Sequence, residues 1–295
     1  MRSVHICRAV LREHGARRVV LTNEQWAALE PLVETCRPKG KTSPRDLRRT
    51  IEAIIWRHQN GARWRAIPAE HGPLGSRRRG SRPCGTDDRR CRSWWRAAQL
   101  FIRWAKLGAW QQLLEAAQER GVELGMAFLD GTSIRAHHKA AGAPKQGGTS
   151  RQRDRREALG RSRGGFGTKA CVVADGRGRA VAFTLAPGQA HELPLASGLL
   201  DRLPRVPLWV VGDRGYSSNA FRELIWTHSA RPAIPTRRNE AAVACPDFIY
   251  NNRNVVERLW ARLKEWRAVA TRYEKTATSF LGVLCLAATA DWLKP

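Results

Sequence analysis

The chain has 295 residues, enough for one large domain or for a small unit joined to a larger one. A hydrophobic fraction of 42% excludes wholesale disorder and leaves enough apolar side chains for a core. The 52 Lys and Arg against 26 Asp and Glu give a formal charge of +26, more than solubility requires. That surplus points to a polyanion, with nucleic acid ahead of an anionic membrane surface, unless it reflects Arg-rich codon usage alone.

Residues 1–20 hold no long apolar run and no cleavage-like end, so they do not read as a secretory leader. Thr22 and Gln25 then form a T-x-x-Q capping box ahead of Trp26, Leu29 and Val33, which predicts a first helix. Leu47, Ile51, Ile54, Ile55 and His58 keep helical spacing, and Gly61 is placed to end the second. RWRAIPAEHGP gives a short turn or helix. From Trp94 helical periodicity resumes through Ala98, Phe101, Ile102 and Ala105. Residues 21–120 thus read as a small all-helical unit. One stretch inside it breaks the pattern: 74–93, LGSRRRGSRPCGTDDRRCRS, has seven arginines and no apolar period. It reads as a disordered loop, with a basic DNA-contacting arm as the alternative.

The second half changes character. GMAFLDGTSI (125–134) predicts an apolar strand ending at Asp130-Gly131. The polar, basic, Gly-rich segment 135–169 reads as a mobile loop beside the site. ACVVADGRGRAVAFTL (170–185) predicts two strands about an Asp-Gly turn, with Asp175 making the turn. Short helices fit 192–202 and 218–228, on either side of PLWVVGDRGY (207–216), a buried strand ending at Gly212-Asp213. This order implies an α/β fold with a mixed sheet flanked by helices. The most apolar late stretch, 280–293, is too short to span a bilayer and contains Asp291, so no membrane partner is expected. The seven cysteines form no C-x-x-C, and no paired histidines lie near Cys84 and Cys91. A zinc site is not expected, and scattered thiols suit a reducing cytoplasm.

YNNRNVVERLWARLKEW (250–266) reads as one helix. At 100° per residue Tyr250, Arg253, Glu257 and Lys264 fall within an arc of about 60°. Val256, Leu259, Trp260, Leu263 and Trp266 form a separate apolar face. A salt-bridged surface helix carries such a stripe too, with Arg253 and Glu257 at i,i+4. Asp130 and Asp213 add weight to a functional reading. Each ends a buried strand beside a glycine, where α/β sheets collect ligands, although either alone makes an ordinary turn aspartate. If they converge with Glu257, three carboxylates supply the oxygen donors that hard divalent cations need. Two such ions activate a water or hydroxyl and stabilise the leaving oxygen of a phosphodiester. The neighbouring cations would hold DNA phosphates nearby. There is no Walker-type loop to support ATP-driven chemistry and no G-x-S-x-G element. His137 and His138 read as exposed loop residues near enough to Asp130 to touch DNA. Most of the twelve tryptophans fall on helical apolar positions and read as core.

FLDGTSIRAHHKAAGA, GGFGTK, PGQAHELP, VVGDRGYSSN and YNNRNVVERLWARLKEWRAVATRYEKTATSF together resemble the DDE transposases of bacterial insertion sequences. The group in question is the four/five type, with its Tyr-x2-Arg-x3-Glu-x6-Lys signature, which Tyr250, Arg253, Glu257 and Lys264 match without a gap. The resemblance spans roughly residues 20–73 and 94–295. It implies an RNase H-like catalytic domain over 121–295 and a helix-turn-helix-like DNA-binding unit over 21–120. It also implies a metal triad of Asp130, Asp213 and Glu257 holding Mg2+ or Mn2+ as two ions. Tyr250, Arg253 and Lys264 are then contacts to the DNA backbone near the cut. The implied partners are double-stranded DNA, as terminal inverted repeats and as target, and a second copy pairing two ends on the nucleoid in the cytoplasm. A water cuts the element end, and the freed 3′-hydroxyl attacks target DNA with no ATP and no covalent enzyme intermediate. Two stretches depart from the pattern: 1–20 reads as an upstream extension, and 74–93 as an insertion between helices that impairs end recognition. An inactive DNA-binding remnant and a nuclease of the same fold, such as a junction resolvase, stay open as alternatives.

Overall fold

The computed structural model describes residues 21–38, 46–68, 71 and 94–294. The expected extension (1–20) and insertion (74–93) lie outside the described residues. The helical half follows its sequence signals. Helix α1 (Asn23–Cys36) starts with the reciprocal capping box: Gln25 N donates to Thr22 Oγ1 and Thr22 N donates to Gln25 Oε1. Helix α2 (Leu47–Asn60) is capped by Asp46 and stopped by Gly61, whose φ of +58° is the left-handed conformation that a Cβ disfavours. The periodicity after Trp94 belongs to two helices, α3 (Trp94–Lys106) and α4 (Ala109–Gln118). Gly108, at φ +75°, turns the chain between them.

The sheet has strands β1 (Met126–Ala136), β2 (Gly160–Ser162), β3 (Gly165–Ala174), β4 (Ala180–Pro187), β5 (Trp209–Val211), β6 (Arg231–Ala233) and β7 (Thr271–Arg272). Its main order is β4-β3-β1-β5-β6. The first three strands are antiparallel neighbours, and β5 and β6 run parallel to β1. This is the expected RNase H-like mixed sheet. Alternation along β1 sorts its side chains between two cores. Phe128 and Ile134 face the helical half, together with Val172 and Val211. Ala127 and Leu129 face α6 (Leu193–Leu200) and α7 (Asn219–Thr227), together with Val173, Leu199, Phe221 and Ile225.

Helix α8 (Asn254–Lys264) and helix α9 (Ala277–Trp292) join the helical half to the sheet. Eleven of the sixteen residues of α9 are buried, so it is apolar nearly all round, as a central helix must be. One apolar core runs from Trp26, Ile51 and Phe101 through Val283 and Leu286 to Phe128 and Val211. A buried polar network reinforces the seam. Arg57 on α2 pairs with Glu274, and the neighbouring His58 lies 3.7 Å from the same carboxylate. Arg272 donates to Thr168 Oγ1 (2.5 Å) and to the Glu274 carbonyl (3.0 Å). Burial holds His58 well below its usual value, and its Nδ1 donates to the Ile54 carbonyl at 2.7 Å. The imidazole is therefore neutral, and its contact with Glu274 is not an ion pair.

Three expectations change. The strand carrying Asp130 runs on to Ala136, because β3 pairs with it from Phe128 to Arg135. Asp130 sits in mid-strand and not at its end. The segment 135–169 is structured: it holds a short 3-10 turn (His138–Gly142), helix α5 (Ser150–Arg156), β2 and the start of β3. Local pairing that its polar composition hid gives it this order. The stretch 250–266 is not one helix either. Tyr250 closes a one-turn helix (Asp247–Tyr250), Arg253 closes a 3-10 turn (Asn251–Arg253), and α8 begins only at Asn254. Asp175, by contrast, makes its turn as expected, accepting the backbone N–H groups of Arg177 and Arg179.

Candidate active site

Register brings the two aspartates together. In the parallel pair β1–β5 the last rung is Phe128 opposite Val211. Asp130 lies two residues beyond it, still in β1, and Asp213 two residues beyond it, past the end of β5, where its carboxylate is near enough to raise Asp130. Period-2 alternation gives Asp130 the parity of Phe128, the face against which α8 packs. Asp213 is extended (φ −79°, ψ −179°), and its Oδ1 accepts the Gly215 N–H at 2.7 Å, which fixes the carboxylate at the mouth of a short 3-10 turn.

Helix α8 supplies the third carboxylate. Val256, Leu259, Trp260 and Leu263 bury its apolar side and turn Glu257 outward. Arg253 links the two elements. One guanidinium nitrogen lies 3.4 Å from Asp130 Oδ1, and another donates to Glu257 Oε1 at 2.6 Å. Lys264 Nζ donates to Thr132 Oγ1 at 2.7 Å, one strand repeat beyond Asp130 on the same face. Tyr250 is close enough to contribute to the field at Arg253. The six expected site residues therefore lie near one another, around Asp130 and Arg253. His137 and His138 stack on each other (centroids 3.9 Å apart) just past the end of β1, and Tyr273 lies 5.1 Å from His137.

The electrostatics are out of balance. Asp130 is pushed up to about 6, first by burial, with Arg253 opposing and with Glu192, Asp213 and Glu257 adding to the rise. Burial pulls the Lys264 ammonium down. Glu192 is the residue that sequence reading missed. It directly precedes α6 on the opposite face of the sheet, where its carboxylate accepts from Lys169 Nζ at 2.8 Å and from the Tyr216 hydroxyl at 3.1 Å. A Cβ on Gly131 would come within 2.4 Å of its carboxyl carbon, so Glu192 occupies the room a side chain at 131 would need. The signal was in the sequence, as an Asp-Gly pair mid-strand and an acid in PGQAHELP. Only the fold makes them neighbours.

Asp130, Asp213 and Glu257 are hard oxygen donors and suit a divalent cation by type. As the side chains stand, no three His, Cys, Asp or Glu among the described residues are gathered tightly enough to enclose an ion. Arg253 lies between Asp130 and Glu257 instead. The donor set fits such an ion by type, and the three acids would hold one only with this guanidinium moved from between Asp130 and Glu257.

The chain matches the family described as "Transposase DDE domain" over residues 210–294 and the one described as "Putative transposase of IS4/5 family" over 21–82. It is 32% identical over 129 residues to "Putative transposase for insertion sequence element IS6501" of Brucella ovis, covering 98% of that protein and 43% of this chain. It is 28% identical to an uncharacterised protein of Sinorhizobium fredii, over 86% of that protein and 43% of this chain. A transposase of element IS402 of Burkholderia cepacia matches at 28% over 56% of its length and 38% of this chain. Among solved structures, a piggyBac transposase synaptic complex with hairpin DNA superposes with a TM-score of 0.40 at 12% identity. That superposition covers 94% of this chain and 68% of the other.

Proposed function

The chain belongs to the insertion-sequence transposases of the IS4/5 type, and from that premise we propose that it cuts DNA at the ends of its element and joins the freed 3′ ends to target DNA. Asp130, Asp213 and Glu257 are the acids we assign to Mg2+, or Mn2+, as a pair of ions. The observation that carries this reading is Arg253 bridging Asp130 and Glu257, with Asp213 beyond the neighbouring strand near enough to raise Asp130. Bound divalent ions activate a nucleophilic oxygen and stabilise the leaving one.

The remaining steps belong to side chains of this chain. When DNA enters, Arg253 transfers from the two carboxylates to a phosphate, a better partner for a planar two-pronged donor. Lys264 offers an ammonium beside Asp130, and Tyr250 a hydroxyl ahead of α8, so the strand is oriented across the three acids. The α1–α4 unit is the end-recognition element, and its shared core with the sheet makes end binding and cleavage rigidly coupled. Two copies bring two ends together. Among the described residues no helix is long and apolar enough to cross a membrane, and a DNA substrate puts the enzyme at the nucleoid.

The test is Mg2+-dependent cleavage of a duplex carrying an element end, by wild type and by Asp213→Asn. The variant should bind the duplex as wild type does and fail to cut it. Cleavage that survives the substitution removes Asp213 from the site and this assignment with it.

A further inference from the structure

At the far end of the β1–β3 ladder from the acids, the surface opens into a groove of about 620 Å3. One wall is α5, with Arg151 and Arg155; the other is the β2–β3 hairpin and the turn after β4, with Arg161, Phe166 and Gln189. We propose that this groove is a second DNA site, holding the phosphate backbone of the duplex about five base pairs from the scissile bond. The proposal rests on the DNA-cleaving reading above.

Three observations support it. First, the arginines of α5 divide into two sets. Arg153 pairs with Asp154, while Arg156 pairs with Glu157 and donates to the Pro144 carbonyl. Arg151 and Arg155 have no ion-pair partner among the described residues, and neither do Arg161 and Arg163 on the hairpin. Arg151 and Arg155 are also an i,i+4 pair of like charge, which destabilises a helix unless an anion lies across both.

Second, the groove is built and not incidental. A Cβ on Gly160 would collide with the Gln189 side chain at 1.8 Å, and one on Gly188 would meet the Gly160 and Gly167 carbonyls at 2.9 and 3.0 Å. Glycines at these positions let the hairpin and the β4 turn close onto one floor. Arg161 sits directly across the ladder from Phe166. A guanidinium for a phosphate and an aromatic face for the adjoining sugar thus lie on one rung.

Third, the groove is in line with the acids. Gly167, next in β3 to the groove-lining Phe166, pairs with Arg135, and Arg135 Nη2 donates to the Gly164 carbonyl at 3.2 Å. Arg135 is five residues beyond Asp130 on β1. That is about 17 Å at a strand rise of ~3.4 Å, or about five base pairs at ~3.4 Å each. A duplex laid along β1 from the acids reaches the groove half a helical turn away.

The test compares wild type with Arg151→Ala/Arg155→Ala/Arg161→Ala in binding an element-end duplex over a salt series. All three side chains are exposed, so the fold should persist, with the melting temperature as the check. Losing three phosphate contacts should flatten the slope of log K against log[salt] by about 2–3. The corresponding triple Lys variant should restore most of it, because charge and not shape is at stake. The duplex is then trimmed to under five base pairs on either side of the cut. If the difference between wild type and variant vanishes on trimming the element side, the groove holds the element end; on trimming the outer side, it holds flanking or target DNA. An unchanged slope in a wild type that binds and cleaves overturns the groove alone, as does a difference indifferent to both trims or a Lys variant that restores nothing. A wild type that neither binds nor cleaves overturns the underlying reading as well.

Discussion

Two clusters of arginine and carboxylate in this protein share their ingredients and differ in everything else. At the seam between α2 and the sheet, Arg57, Glu274, Arg272 and Glu157 are buried, and each carboxylate has its own donor. Glu274 takes Arg57, and Glu157 takes the Ala277 N–H at 2.9 Å. Burial lowers Arg272 to about 10, while Glu274 and Glu157 hold it up, so it stays charged at neutral pH. In the candidate active site, Arg253 is shared between two acids, Asp130 is flanked by three other carboxylates, and Glu257 is more than half exposed. A closed cluster in which each carboxylate holds a donor fastens two parts of a fold. An open, over-acidic one is unfinished until something positively charged arrives.

The largest effect that sharpens this contrast is Asp213→Asn. Cleavage should fall by at least about 10^4-fold, some 5 kcal/mol or more of transition-state stabilisation. The melting temperature should stay within a degree or two, because Asp213 pairs with no cation among the described residues. Arg57→Met is the counterpart at the seam. It leaves Glu274 buried without its strongest partner, and breaking such a pair costs about 3–5 kcal/mol. Denaturant midpoints read this directly. If Arg57→Met left stability alone, the seam would not be a fastener and the contrast would collapse. A third, intermediate effect belongs to Gly131→Ala. The new methyl meets the Glu192 carboxyl group and must push either it or β1 aside. A shift of about 1 Å at Asp130 should lower the cleavage rate roughly 10- to 100-fold with little change in DNA affinity. The paired variant Gly131→Ala/Glu192→Gly should recover much of that loss, whereas a purely backbone effect at 131 would not be recovered.

How far these distinctions were legible in the sequence depends on where each signal lies. Local grammar sufficed for the capped helices: Thr22 with Gln25, Asp46, and Gly61. Alternating strands marked the mixed sheet, and the fixed spacing of Tyr250, Arg253, Glu257 and Lys264 marked candidates that the fold brings near Asp130, although the spacing predicts a single helix. The geometry puts Tyr250 and Arg253 in turns ahead of α8, with Arg253 still beside Glu257 and Tyr250 near Arg253. Order in 135–169 was not legible, because its strands are held by pairing to β1 and β3 and not by an apolar period of their own. Glu192 was not legible for the same kind of reason. Its role comes from contact with Gly131, sixty-one positions away, and no local pattern encodes that contact.

The smallest effect is the most discriminating. Asp130 is raised in the folded protein from an ordinary 3.8 to about 6. A carboxyl whose folded value lies above its unfolded one favours the native state while protonated. That contribution is complete below about pH 4 and is lost as pH rises through about 6. The metal-free protein should therefore gain stability from this group on going from pH 7 to pH 5. Two pKa units correspond to at most about 3 kcal/mol, and with the side chain 17% exposed and Arg253 alongside, about 1–2 kcal/mol is expected. Asp130→Asn should abolish cleavage and at the same time stabilise the metal-free protein at pH 7 by that amount, flattening the pH 5–7 dependence of the denaturant midpoint. The analogous change at the seam, Glu274→Gln, should do the reverse, lowering stability at both pH values. If Asp130→Asn proved as destabilising as Glu274→Gln, Asp130 would be a structural acid matched by Arg253, and the open cluster would be a second fastener and not a site.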